Sequence, residues 1–146
     1  MMKKVLVGLF VVCLLAGSLL GQFTTDWERK TPGTDPSWMT TTGNETRNLA
    51  YGYIAETSGG TKNHRLIVSR SSSNYLRILN ADTGADIGVL DQTGIWGGNV
   101  AINDVEISDD GIIFACNRRD DNTSSSWKVY RWDHEADNPT LVIDYV

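Results

Sequence analysis

Val105-Glu106-Ile107-Ser108-Asp109-Asp110-Gly111-Ile112-Ile113-Phe114-Ala115-Cys116 decides the fold. Two short apolar runs flank a Ser-Asp-Asp-Gly stretch. Aspartate side chains bond to nearby backbone, and glycine accepts positive φ without a steric penalty. That chemistry predicts a hairpin with Gly111 in the left-handed region. The flanking runs are too short for a helix and rich in β-branched and aromatic residues, as strands are.

Working outward, the same pattern recurs. Apolar runs occur at Leu49–Ile54, Arg65–Ser69, Tyr75–Leu79, Ile87–Leu90, Trp127–Trp132 and Leu141–Ile143. Ser58-Gly59-Gly60, Asp82-Thr83-Gly84, Gly97-Gly98-Asn99 and Asp137-Asn138-Pro139 punctuate them. No stretch keeps a helical period over three turns. The chain from Arg47 onward is therefore expected to be all-β, with eight strands in two sets of four.

The two sets resemble each other. Leu66-Ile67-Val68-Ser69-Arg70 matches Ile113-Phe114-Ala115-Cys116-Asn117, and Arg77-Ile78-Leu79 matches Lys128-Val129-Tyr130. Arg47-Asn48-Leu49-Ala50-Tyr51 takes the place of Ile102-Asn103-Asp104-Val105-Glu106. Four short strands in a period of about 50 residues is the signature of a β-propeller blade. The expected organisation is a signal peptide over 1–21, an extended lead-in over 22–46, and propeller blades over 47–97 and 98–146. A self-contained β-sandwich is the competing architecture, with two facing sheets around one core.

Length and charge narrow the function. A chain of 146 residues is one domain at most. Its formal charge of −5 argues against a nucleic-acid surface, which would be basic. Met1-Met2-Lys3-Lys4 is a short basic start, followed by an apolar run from Val5 to Ala16 and then small residues. This is the plan of a secretory signal peptide. Cleavage after Ser18 places small residues, Ala16 and Ser18, where the processing rule wants them; cleavage after Gly21 is a poorer fit. The apolar run falls short of the roughly 20 residues a membrane span needs. The protein is thus expected to be secreted, periplasmic or at the cell surface, with no membrane attachment once the segment is removed. Cys13 leaves with that segment. Cys116 remains as a single thiol, expected to pack as a small core residue.

The phrases Thr42-Gly43-Asn44-Glu45-Thr46-Arg47-Asn48-Leu49-Ala50-Tyr51-Gly52, Ile78-Leu79-Asn80-Ala81-Asp82-Thr83-Gly84 and Asn103-Asp104-Val105-Glu106-Ile107-Ser108-Asp109-Asp110-Gly111 carry a resemblance. They are similar to exported bacterial propeller-type proteins of unknown function, related in plan to NHL and quinoprotein-like propellers. Such proteins often end in a secretion sorting tail. The resemblance implies the repeat type and no activity. Propellers close with about four to eight blades. Two blades therefore imply an N-terminal fragment or one member of an assembly, whose partners are further blades of a longer chain or another subunit.

Reactive constellations are sparse. His64 and His134 lie in polar surroundings without zinc-ligand spacing, and both read as exposed loop residues. Asp82, Asp86 and Asp91 do not fit a calcium loop, because Gly84 stands where a ligand should be. No phosphate loop, dinucleotide fingerprint or nucleophile elbow is present. No catalytic residue, metal ligand or cofactor is assigned. Three ligand-binding candidates remain. Arg70 and Asn117 end the second strand of each repeat, a position suited to a structural bond or a ligand. Trp96 beside Gly97-Gly98 is a candidate stacking platform for carbohydrate. The expected function is an exported, non-catalytic propeller segment for extracellular scaffolding or recognition. The alternative is the N-terminal part of a propeller enzyme (hydrolase, lyase or quinoprotein-like) whose catalytic residues lie beyond Val146.

Overall fold

A computed structural model of the chain describes residues 38–39, 45–71, 76–120 and 126–146. The signal peptide over 1–21 and nearly all of the lead-in over 22–46 lie outside the described residues. The described residues form eight strands: β1 (Thr46–Ala55), β2 (Lys62–Arg70), β3 (Leu76–Asn80), β4 (Asp86–Val89), β5 (Val100–Ile107), β6 (Ile113–Arg118), β7 (Trp127–Trp132) and β8 (Thr140–Tyr145). They make two four-stranded sheets of identical order, β1-β2-β3-β4 and β5-β6-β7-β8. Every pairing is antiparallel. No helix occurs among the described residues.

The hairpins form as their turn residues require. At the β5–β6 turn, Gly111 has φ +88° and its N–H bonds to the Ser108 carbonyl at 2.8 Å. At the β3–β4 turn, Asn80 Oδ1 accepts from the N–H groups of Asp82 and Thr83, and Gly84 has φ +69°. Side-chain acceptors and glycine together close the reversals that the turn chemistry predicted.

Both sheets feed one buried cluster. Ala50, Ile54, Ile67, Leu76 and Ile78 come from the first sheet; Ile102, Val105, Ile113, Ala115, Tyr130 and Trp132 come from the second. Strands β1 and β2 of the first sheet both come within 8 Å of β5, Cα to Cα, and the longer run of such approaches is along β1. Sheets packed face to face stand about 10 Å apart. Gly52 permits the tighter approach: a Cβ there would lie 2.6 Å from Ile107 Cγ2.

Polar bonds close both ends of this seam. At one end, Asn48 donates through Nδ2 to Asp104 Oδ1 and to the Val105 carbonyl, and Ser69 Oγ bonds the Asn103 carbonyl at 3.3 Å. At the other, Arg65 Nε meets Glu135 Oε1 at 2.7 Å, with both side chains nearly buried. The turn after β7 docks there as well, Glu135 N–H bonding the Ala55 carbonyl at 3.0 Å.

Each sheet also has an outward face. On the first, Trp38 packs over Val68 and Leu79, while Leu49, Tyr51 and Tyr53 stay exposed. On the second, Asp104, Glu106, Phe114, Cys116, Trp127 and Val129 line a shallow depression of about 160 Å³. Strand β8 is exposed along its whole length.

Three expectations change. Cys116 is half-buried on that outward face rather than in the shared core, because β6 turns its other phase, Ile113 and Ala115, inward. His64 lies in β2 instead of a loop and packs against Tyr53, with ring centroids 3.8 Å apart and ring planes tilted by 52°. The sequence correspondence also slides. With Val68 matched to Ala115, the ladder partners are Leu49 and Val105, so Leu49 meets Val105 and not Asp104. With Leu66 matched to Ile113, Leu79 likewise meets Trp132 and not Tyr130. Register shifts within β1 and β5 account for the first displacement.

Candidate functional site

The connection from β4 to β5 crosses from one sheet to the other and carries Trp96. The loop is held from below by core side chains. Trp132 Nε1 donates to the Asp91 carbonyl at 2.8 Å. The Tyr130 hydroxyl accepts from Trp96 N–H at 3.2 Å and donates to the Trp96 carbonyl at 3.0 Å. The backbone of Trp96 is thus fixed while its side chain is 62% exposed.

Beneath the indole sits Lys128. Its ammonium lies 4.4 Å from the Trp96 ring centroid and 2.6 Å from Asp144 Oδ2. Lys128 is only 1% exposed. A buried ammonium is costly unless paired; here the carboxylate and the ring face supply the pairing. In return, the hydrogen bond from Lys128, reinforced by one from Ser126, holds the Asp144 carboxyl below the ordinary carboxylate range.

Asn117 completes the corner. Its Oδ1 accepts from Lys128 N–H at 2.8 Å and its Nδ2 donates to the Ser126 carbonyl at 3.0 Å. The glycines let the loop lie against this group. Gly98 has φ +73°, and a Cβ there would come within 2.4 Å of the Arg118 carbonyl oxygen and 2.9 Å of Asn117 Nδ2.

Two of the three sequence candidates, Trp96 and Asn117, therefore meet around Lys128. Arg70 does not join them. It belongs to the first sheet, is 4% exposed, and bonds Glu45 Oε2 through Nη2 at 2.6 Å. Its Nε is buried with no hydrogen-bond partner among the described residues. Lys128 and Asp144 are the residues that the sequence reading passed over. The signal was present: in Trp127-Lys128-Val129-Tyr130-Arg131-Trp132, strand alternation puts Lys128 in phase with the buried Tyr130 and Trp132.

The corner can stack and bond a neutral polar ligand. It offers an exposed indole, a carboxylate and a cation already neutralised by its neighbours. Among the described residues, no group of three or more His, Cys, Asp or Glu side chains is placed to hold a metal ion. His64 Nδ1 and Asp82 Oδ1 stand 2.8 Å apart, as do His134 Nδ1 and Asp137 Oδ2.

Comparison with known proteins returned no matching family model, no matching curated protein and no matching solved structure.

Proposed function

We propose that the chain is a segment of a β-propeller, exported and non-catalytic, that serves extracellular recognition or scaffolding. The observation that carries this reading is the tight seam between β1 and β5. Propeller blades crowd their first strands together at an axis, whereas sandwich sheets keep a spacing of about 10 Å. The identical strand order of the two sheets supports it. So does the matched behaviour of Asn48 and Asp104, whose side-chain oxygens each accept the N–H of the following residue.

The recognition element is the Trp96 corner. An exposed indole on a rigid backbone suits the apolar face of a sugar ring, and the partly exposed carboxylate of Asp144, held in place by the buried Lys128, suits its hydroxyls. Carbohydrate is the proposed ligand class.

Retention on insoluble polysaccharides (cellulose, chitin, peptidoglycan) tests this reading. The chain is expected to be retained on at least one, and Trp96→Ala to lose retention about tenfold or more while keeping its fold. Passage through all three matrices overturns carbohydrate recognition. Turnover of a polysaccharide by the chain favours the enzyme alternative instead.

A further inference from the structure

The two outward faces are complementary to each other in the same way as the two faces already in contact. The sequence match of Leu66–Arg70 with Ile113–Asn117, extended through the ladders, sets the equivalence. Phe114 stands in the second sheet where Ile67 stands in the first, and Glu106 where Ala50 stands. The outward face of the second sheet therefore corresponds to the inward face of the first. Conversely, Leu49 stands where Val105 does and Leu79 where Trp132 does. The outward face of the first sheet thus corresponds to the inward face of the second. One interface of this kind is present within the chain. The open faces are the halves of a second.

We propose that a second copy of this chain occupies these faces, head to tail, and that copies close into a ring. This inference rests on the propeller reading above. Two features select another copy of the chain over an unrelated partner. First, charge is complementary. Within the chain Ala50 shares a buried cluster with Val105. Between copies Glu106 takes the place of Ala50 and Leu49 that of Val105. Glu106 is exposed on the second sheet's open face, while Arg47 lines the first sheet's open face with its Nε buried and without a hydrogen-bond partner among the described residues. Second, the first sheet's face has room. Arg47, Leu49, Leu66 and Val68 line a cleft of about 440 Å³ beside Met39. Trp38 covers only the part of that face over β2 and β3.

A head-to-tail contact is heterologous and must close to avoid an open filament. With two sheets per copy and four to eight in a closed propeller, the ring holds roughly two to four copies.

Sedimentation velocity on the full chain across a concentration series tests the proposal. The wild-type chain is expected to form one closed species of that size. Tyr51→Asp spoils only the first sheet's face, and Phe114→Asp only the second's. Each alone should be monomeric, and their equimolar mixture should stop at a dimer, since one good interface remains. Circular dichroism confirms folding. Should Phe114→Asp fail to fold, Glu106→Arg serves instead, because its side chain is exposed. Alkylation of Cys116, which lies on the second sheet's open face, should slow about tenfold or more in the assembly. A wild-type chain that stays monomeric at high micromolar concentration overturns the proposal, as does a symmetric dimer that either variant leaves intact. A monomer that assembles only with additional strands supplied by other sequence also overturns it. None of these results touches carbohydrate recognition, which polysaccharide retention reads independently.

Discussion

Asn48 and Asp104 occupy the same step of the two sheets, and one donates to the other. Each side-chain oxygen accepts the N–H of the next residue, Leu49 at 2.7 Å and Val105 at 2.9 Å. Asn48 then reaches across the seam to Asp104 and to the Val105 carbonyl. The side chain that shapes each strand's irregularity thus also joins the sheets. Asn48→Ala should remove both cross-seam bonds and cost about 1–3 kcal/mol, because the acceptors left behind are partly buried. Urea denaturation of the variant measures this; an unchanged midpoint would count against a structural role for the pair.

At the opposite end of the seam, Arg65 and Glu135 form the most enclosed ion pair among the described residues, with side-chain exposures of 11% and 6%. Glu135→Ala strands a guanidinium and should cost about 3–5 kcal/mol. The double variant Arg65→Met with Glu135→Leu should recover most of that loss, since an apolar pair of similar volume needs no desolvation of charge. A double-mutant cycle in urea gives the coupling directly.

Gly59 and Gly98 share φ +73° but not surroundings. A Cβ at Gly59 meets open space, so Gly59→Ala should cost only the left-handed backbone strain of about 1–2 kcal/mol. A Cβ at Gly98 would collide with the Arg118 carbonyl, so Gly98→Ala should cost clearly more and disturb the Trp96 corner. Thermal melts of the two variants, paired with Trp96 fluorescence, separate strain from collision.

The Asp144 carboxyl titrates below its ordinary range because it accepts hydrogen bonds from Lys128 and Ser126. A depressed folded-state value means that its contribution to stability is complete above the unfolded-state value and is lost as pH falls through the folded one. Wild-type stability should therefore decline below about pH 4, and Asp144→Asn should decline less steeply there. Asp110 titrates low as well, through its hydrogen bond from Ser108. The difference between wild type and Asp144→Asn, measured as urea midpoints from pH 7 downward, is the informative quantity.

Residues 1–21 are predicted to direct export. Fused to a reporter active only outside the cytoplasm, they should give activity, and replacing Leu14 and Leu15 with charged residues should abolish it. A silent fusion would remove the extracellular setting from the proposed function.

The strands were legible because each apolar run is bracketed by turn chemistry, and all eight runs became strands. The ends were less so. β1 begins at Thr46 because a polar residue can extend a ladder, here opposite Arg70, without adding an apolar signal. The inward face was not legible. Alternation identifies a core when one face is polar, but here both phases of β6 are apolar, so Cys116 and Ala115 looked equally buried. Gly52 carried information that the turn-based reading did not use: a glycine inside a strand often marks close backbone approach. Within the candidate site, Trp96 and Asn117 stood out by type and position. Lys128, which joins them, was masked because lysine ordinarily signals solvent.

Strand β8 ends the second sheet with Leu141, Val142, Ile143, Tyr145 and Val146 all exposed. Among the described residues its outer edge pairs with no strand, and it carries no proline, a combination that favours templating of fibrils. Asp144 is its lone charge, and the hydrogen bond from Lys128 holds that carboxyl below the ordinary carboxylate range. The same ion pair that steadies the tryptophan corner therefore also fixes the one charge on an otherwise apolar strand.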